Sequence, residues 1–124
     1  MRFMMLMIPK SYATRSSGTA PSSELVAKMR RYSESLSKAG ILLALDGLYP
    51  PTVGVRLTFS GGRPAISEGP FAGSSHALGG YWMIQAQSRE EAIEWARRCP
   101  AAEGDVIEIR QVHEASDLPP LRPG

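Results

Sequence analysis

Residues 81–100, YWMIQAQSREEAIEWARRCP, place a strand and a helix in immediate succession. Residues 81–86 are aromatic and β-branched enough to predict an interior strand. Ser88 and Glu91 have the spacing of a capping box, in which the serine hydroxyl accepts from the amide of Glu91 and the glutamate reaches back to the amide of Ser88. We therefore predict a helix that starts at Ser88 and ends at Pro100. A strand that leads directly into a helix indicates a mixed α and β domain.

The same alternation precedes this stretch. Residues 3–8, FMMLMI, are apolar at both parities and are closed by Pro9, which predicts a central first strand with both faces covered. A helix is predicted from Ser22 or Ser23 to about residue 39, because apolar residues recur at helical spacing. Those residues are Leu25, Met29, Tyr32 and Leu36. Gly40 is expected to end this helix in the left-handed conformation.

Further strands fill the middle and the end of the chain. Residues 41–45 predict a second strand that ends near Asp46. Residues 53–59 alternate apolar and polar side chains, and Ser60-Gly61-Gly62 then turns the chain into residues 63–67, which predicts a hairpin. Residues 106–112 predict the last strand.

The order of strand, helix, strand, hairpin, strand, helix and strand predicts an α+β fold, a ferredoxin-like split βαβ sheet with two helices on one face. The other sheet face then has no cover within the chain. Two such faces packed together would close a dimeric α+β barrel, so a homodimer is expected.

Composition limits the class of protein. The chain of 124 residues is 43% hydrophobic and 21% charged, which fits one globular domain. We assign residues 1–113 to this domain and residues 114–124 to a flexible, proline-rich tail. The net charge of +2 comes from basic residues spread along the chain, so no nucleic-acid partner is predicted. Cys99 is the only cysteine, which excludes an internal disulfide and favours the cytoplasm. No apolar run approaches the roughly 20 residues needed to cross a membrane.

The loop 67–80, SEGPFAGSSHALGG, is the candidate functional segment. It places Glu68, two hydroxyls (Ser74 and Ser75) and His76 among turn-forming residues between two apolar runs, where binding and catalytic groups concentrate. Glu68 is a candidate general base and His76 a candidate acid–base partner. The alternative for Glu68 is a carboxylate that caps a turn, and for His76 an exposed loop side chain.

Several motifs in this order resemble the YCII-related proteins that carry the DGPF motif. They are residues 68–72 (EGPFA), 78–82 (LGGYW), 88–100 (SREEAIEWARRCP), 1–8 (MRFMMLMI), 39–42 (AGIL) and 107–110 (IEIR). The resemblance extends to about His113. It implies a dimeric α+β barrel, and a broader family of small enzymes that use acid–base chemistry without a metal or cofactor. It also implies a link to sigma-factor signalling, because DGPF members often lie beside genes for extracytoplasmic-function sigma factors.

The sequence departs from the family pattern within the candidate loop. Glu68 stands where DGPF proteins usually carry aspartate, which keeps the charge and lengthens the side chain by one methylene. Residues 73–76, GSSH, replace the usual Glu-Thr-Lys-Glu, so two carboxylates and a lysine are absent and His76 stands where a carboxylate is common. Asp46 matches the acidic residue that precedes Gly-Leu in the family. It is expected either to meet Glu68 across the sheet or to serve as a turn carboxylate.

Two function classes remain open on the sequence. The first is a small-molecule-binding protein that acts as a cofactor-free acid–base enzyme, an isomerase or lyase, on a small anionic or carbonyl metabolite. Its catalytic candidates are Glu68, His76 and Asp46, and its ligand-binding candidates are Tyr81, Arg56, Ser74 and Ser75. The second is a non-catalytic dimeric module that binds a ligand or a regulatory protein. A further interpretation makes the loop a dimer clasp anchored by Phe71 and Trp82. No metal site is predicted, because His76, His113 and Cys99 lack ligand spacing.

Overall fold

The computed structural model describes residues 1–14, 21–71 and 77–120. In chain order its main elements are β1 (Arg2–Ile8), α1 (Ser23–Lys38), β2 (Leu42–Gly47), β3 (Val55–Ser60), β4 (Arg63–Glu68), β5 (Gly80–Gln85), α2 (Arg89–Arg97) and β6 (Val106–Gln111). Four strands form an antiparallel sheet in the order β2-β5-β1-β6, and β3 and β4 form a separate two-stranded sheet. The predicted α+β, ferredoxin-like arrangement is confirmed, and β1 is central as expected. Within the described ranges, no helix is both long and apolar enough to cross a bilayer.

Both helices pack on the same face of the four-stranded sheet. The pleat of β1 sends Phe3, Met5 and Met7 to this face, where they are buried, and leaves the intervening side chains partly exposed. Tyr32 and Leu36 from α1 and Ala92 from α2 complete the core with Trp82, Ile84 and Ala86. Within a single chain, only one face of β1 is therefore covered. The expectation of two covered faces holds for the helix side alone.

The helix ends follow the sequence with two differences, one at each end of α2. The helix α2 ends at Arg97, with Arg98 as its C-cap, so it stops short of the predicted end at Pro100. The Ser22 hydroxyl accepts from the amide of Leu25 at 3.1 Å, which starts α1, and Gly40 has φ of +74° after its end. The Ser88 hydroxyl accepts from the amide of Glu91 at 3.1 Å, as predicted. The Glu91 carboxylate, however, accepts from the amide of Gln87 at 3.0 Å instead of that of Ser88. The side chain reaches one residue further back, so it satisfies a different amide at the same helix end.

The β3–β4 hairpin has one apolar and one polar face. Residues that lie directly opposite each other share a face, so the register pairs Leu57 with Ile66 and Phe59 with Pro64 on the apolar side. Arg56 and Ser67 lie opposite each other on the polar side. Leu57, Phe59 and Ile66 remain 51%, 77% and 71% exposed. The hairpin apolar face (Val55, Leu57, Phe59, Pro64 and Ile66) therefore has no cover within the described chain.

The hairpin segment leaves and rejoins the main sheet at a single point. Gly47 at the end of β2 pairs with Gly80 at the start of β5. The amide of Leu48 donates to the carbonyl of Gly79 at 2.9 Å. Gly80 suits this crossing, because a Cβ there would lie 2.7 Å from the carbonyl oxygen of Asp46.

An ion pair joins the two ends of the described chain. The Arg2 guanidinium donates to both carboxylate oxygens of Glu114, at 2.8 and 3.2 Å. Glu114 also begins a short turn over Ala115–Asp117, with the Asp117 carboxylate accepting from the amide of Glu114 at 2.8 Å. The first residues of the expected tail are thus held against β1.

Candidate functional site

A cavity of about 650 Å³ lies between α1 and the β2 edge of the main sheet. Its apolar wall comes from Met7, Leu25, Val26, Met29, Leu42, Leu45 and Trp82. This volume and lining are typical of sites that bind small organic ligands. We call it the α1–β2 cavity.

The cavity wall follows from the register of two strands. Leu45 and Trp82 lie opposite each other on β2 and β5, so both point to the face that carries the helices. The Trp82 indole donates to the hydroxyl of Ser33 at 3.1 Å, and its ring meets Tyr32 edge-on at 5.4 Å between centroids. These contacts fix the indole in place. Because β2 is an edge strand of the sheet, the cavity is open to solvent on that side, and Leu45 is 43% exposed.

A polar stripe of α1 borders the same cavity. Arg30, Ser33, Glu34 and Ser37 all line it. Their spacing of three, four and seven residues from Arg30 places them on one side of the helix. Within the described ranges, neither Arg30 nor Glu34 has an ion pair or side-chain hydrogen bond. The α1–β2 cavity therefore combines an apolar wall with free donors and acceptors at one border.

Asp46 and Tyr81 form a hydrogen-bonded pair beside the cavity. They lie opposite each other on β2 and β5, and the Tyr81 hydroxyl donates to Oδ2 of Asp46 at 2.7 Å. The pleat turns both side chains away from the face of Leu45 and Trp82, while both residues still border the cavity at the strand ends. The hydrogen bond, with partial desolvation and the negative charge of Asp46, raises the pKa of Tyr81. The phenol therefore stays protonated at neutral pH, and Oδ1 of Asp46 has no hydrogen bond from the described residues.

The other candidate residues lie elsewhere or outside the described ranges. Glu68 ends β4 on an exposed stretch of the hairpin, and its carboxylate makes no hydrogen bond or ion pair with the described residues. Because β4 does not pair with β2, Glu68 is not a cross-strand neighbour of Asp46. The Arg56 guanidinium stacks on the Phe71 ring at 3.9 Å. Ser74, Ser75 and His76 lie outside the described residues.

Trp82 cannot anchor a dimer clasp. It is only 7% exposed and belongs to the core between the sheet and α1. The expectation that it lies at an interface with Phe71 is therefore wrong, since the pleat of β5 points the indole toward the helices. Tyr81, the next residue, points to the opposite face.

The sequence interpretation missed the cavity, because its wall residues have the same pattern as core residues. Leu25 and Met29 belong to the apolar stripe of α1 together with Tyr32 and Leu36, but only the latter two are buried. No side-chain type marks the point at which a helical stripe extends past the sheet edge. The one available signal was the run of polar residues Arg30, Ser33 and Ser37 beside that stripe. In the described ranges, no three metal-ligating side chains cluster together.

Comparison with known proteins shows that the sequence matches a protein family. The model of the YCII-related domain matches residues 1–116. An uncharacterized protein of Rhizobium meliloti is 35% identical over 74 residues, which cover 60% of this chain and 56% of that relative. The match thus spans little more than half the length of the relative.

Proposed function

The chain belongs to the YCII-related family, and we propose that this member binds a small organic molecule in the α1–β2 cavity. The observation that carries the proposal is the cavity itself, about 650 Å³ with an apolar wall and a polar border. Apolar cavities with a few polar groups bind ligands because burial supplies affinity and the polar groups supply orientation. We place this function in the cytoplasm, which the single cysteine favours.

Filling the cavity tests the binding function. We expect Leu45→Trp to abolish thermal stabilisation by any ligand found in a metabolite screen, because the larger side chain occupies the space between β2 and α1. Leu118→Trp is the matched control, since Leu118 is similarly exposed but lies after β6, outside both the cavity and the hairpin. Ligand binding that survives Leu45→Trp unchanged would contradict the proposed site. A metabolite screen without any ligand, together with a regulatory protein that co-purifies with the chain, would favour the non-catalytic alternative.

Acid–base catalysis is the second candidate function, and the Asp46–Tyr81 pair favours it. A carboxylate whose Oδ2 accepts from a phenol keeps Oδ1 available to remove a proton from a carbonyl compound held at the strand ends, where Asp46 borders the cavity. Tyr81 orients the carboxylate and remains protonated. Glu68 and His76 stay candidates as a further acid–base pair in the loop 67–80. No cofactor is part of this proposal.

A proton-exchange assay distinguishes catalysis from binding. We expect Asp46→Asn to abolish exchange of the ligand's acidic hydrogens with D2O while the ligand still binds. Glu68→Gln tests the loop carboxylate in the same assay, and Glu108→Gln on β6 is the control. Exchange that is absent in the wild type, or equal in the wild type and both site variants, would leave binding as the function.

We also propose that the chain forms a homodimer. Two apolar surfaces support this: the hairpin apolar face, and the sheet face opposite the helices, where Met4 and Leu6 are partly exposed. Exposed apolar side chains on a two-stranded hairpin favour association, because an isolated hairpin is marginally stable.

Sedimentation velocity tests the dimer. We expect a dimer for the wild type and a monomer for Ile66→Lys, which places a charge in the hairpin apolar face. Thr58→Lys is the control, because Thr58 lies on the polar side of the same hairpin. A monomeric wild type at micromolar concentration would refute the proposal.

A further inference from the structure

The polar border of the α1–β2 cavity contains two opposite charges that do not pair. Arg30 and Glu34 are one helical turn apart and both line the cavity, yet no ion pair joins them. On the same helix, Glu24 and Lys28 have the same spacing and do pair, at 3.4 Å. The difference agrees with the order of the charges, because an acidic residue followed by a basic one is the favourable order at this spacing and the reverse is less so.

The donors and acceptors at this border are complementary to each other. Arg30 carries only donors and Glu34 only acceptors. The Ser33 oxygen already accepts from the Trp82 indole at 3.1 Å, so its hydroxyl hydrogen is available as a donor. A head group with acceptors alone would pair with Arg30 and leave Glu34 without a partner. A head group with donors alone would pair with Glu34 and leave Arg30 without one.

The apolar wall and the polar border are also separated along the helix. Leu25, Val26 and Met29 precede Arg30, and the four polar residues follow from there to Ser37. A ligand that fits both must be amphipathic, with its apolar body toward the start of α1 and its head toward the end.

We propose that the ligand of the α1–β2 cavity is an amphipathic molecule whose head group carries both an acceptor and a donor, as a carboxamide does. Its carbonyl oxygen accepts from Arg30 and Ser33, its N–H donates to the Glu34 carboxylate, and its apolar body lies against Met29, Leu45 and Trp82. This inference rests on the proposed binding function and specifies the class of ligand.

Four probes with the same apolar body test the head group: octanamide, octanoate, octylamine and octanol. Trp82 reports binding by fluorescence in a Trp95→Phe background, because the chain has two tryptophans and only Trp82 lines the cavity. If Trp95→Phe does not fold, calorimetric titration of the chain with both tryptophans gives the same comparison. We expect octanamide to bind most tightly.

The variants make the expectation specific. Arg30→Gln is expected to weaken octanamide and octanoate about tenfold, and Glu34→Gln to weaken octanamide and octylamine similarly, since a hydrogen bond to a charged group contributes roughly this much. Arg31→Gln is the matched control, because Arg31 lies on α1 outside the cavity lining.

The outcomes separate the two proposals. Four probes that bind equally and do not respond to Arg30→Gln or Glu34→Gln would overturn the head-group inference and leave the binding function intact. If none of the four probes, octanol included, perturbs Trp82 or gives a heat of binding, both proposals fail. If octanoate binds as tightly as octanamide and Glu34→Gln changes the affinity of neither, the inferred hydrogen bond from the ligand to Glu34 would be overturned.

Discussion

At the scale of the residue, Tyr32 combines a ring contact with a buried hydrogen bond. Its hydroxyl donates to the carbonyl of Trp95 at 2.7 Å, which links α1 to α2. We expect Tyr32→Phe to lower the free energy of unfolding by about 1 kcal/mol, because the carbonyl loses its partner. Urea denaturation measures the change, and Tyr49→Phe, at a side chain that is 80% exposed, is the control.

Tyr32 also determines how the stability difference between wild type and Tyr32→Phe depends on pH. Burial raises the pKa of Tyr32 in the folded state. Its contribution to stability is therefore complete below the ordinary tyrosine pKa and is lost as the pH rises from there toward the folded value. The gap between wild type and Tyr32→Phe should be constant up to about pH 9 and shrink above pH 10. A gap that widens at alkaline pH would contradict this assignment.

Cys99 is a residue whose chemistry is suppressed by its surroundings. It is half-buried, with its thiol 4.0 Å from the sulfur of Met29. Burial, with the nearby Asp105 carboxylate, raises the pKa of Cys99 to about 11. Compared with an ordinary thiol, the reactive thiolate is about a hundredfold scarcer at pH 8. Alkylation by iodoacetamide should be slow in the native protein and rapid in urea. Rapid native labelling would exclude a structural role.

At the scale of the element, α2 depends on one hydroxyl at its start. Ser88 accepts from the amide of Glu91. We expect Ser88→Ala to cost about 1 kcal/mol of folding free energy, because this amide then has no partner in the chain. Thermal unfolding compares it with Ser23→Ala, an exposed position one residue after the N-cap of α1. Equal stability of the two variants would show that the cap is dispensable.

Elements were predictable from the sequence where their signals are local. The α1 helix extends over Ser23–Lys38, close to the predicted bounds, because its apolar spacing and the terminal Gly40 act within the segment. The Asp46–Tyr81 pair was not predictable, because it depends on the register of β2 against β5, which are 35 residues apart at this pair. The α1–β2 cavity depends further on where α1 lies relative to the sheet edge, and no local pattern encodes that position.

At the scale of the whole molecule, the Arg2–Glu114 ion pair closes β1 against the segment after β6. The hydrogen bond from Arg2 lowers the pKa of Glu114 in the folded state. Its stabilising effect is thus present above the ordinary glutamate pKa and lost as the pH falls through the lowered value. Glu114→Gln should lower the melting temperature at pH 7. When melting temperature is plotted against pH, the curves of the variant and the wild type should meet at acidic pH. Glu108→Gln, at a longer and more exposed contact, is the control. Parallel curves would refute the assignment.

The point at which the hairpin segment joins the sheet has a consequence for the evolution of the fold. Gly47 and Gly80 are paired, so everything between them departs from and returns to adjacent positions of the main sheet. A tight turn between these two glycines would restore an uninterrupted ferredoxin-like topology. We therefore expect changes in the length of segment 48–79 to leave the strand order β2-β5-β1-β6 in place. The hairpin can then vary without changing how the four strands of the main sheet pair.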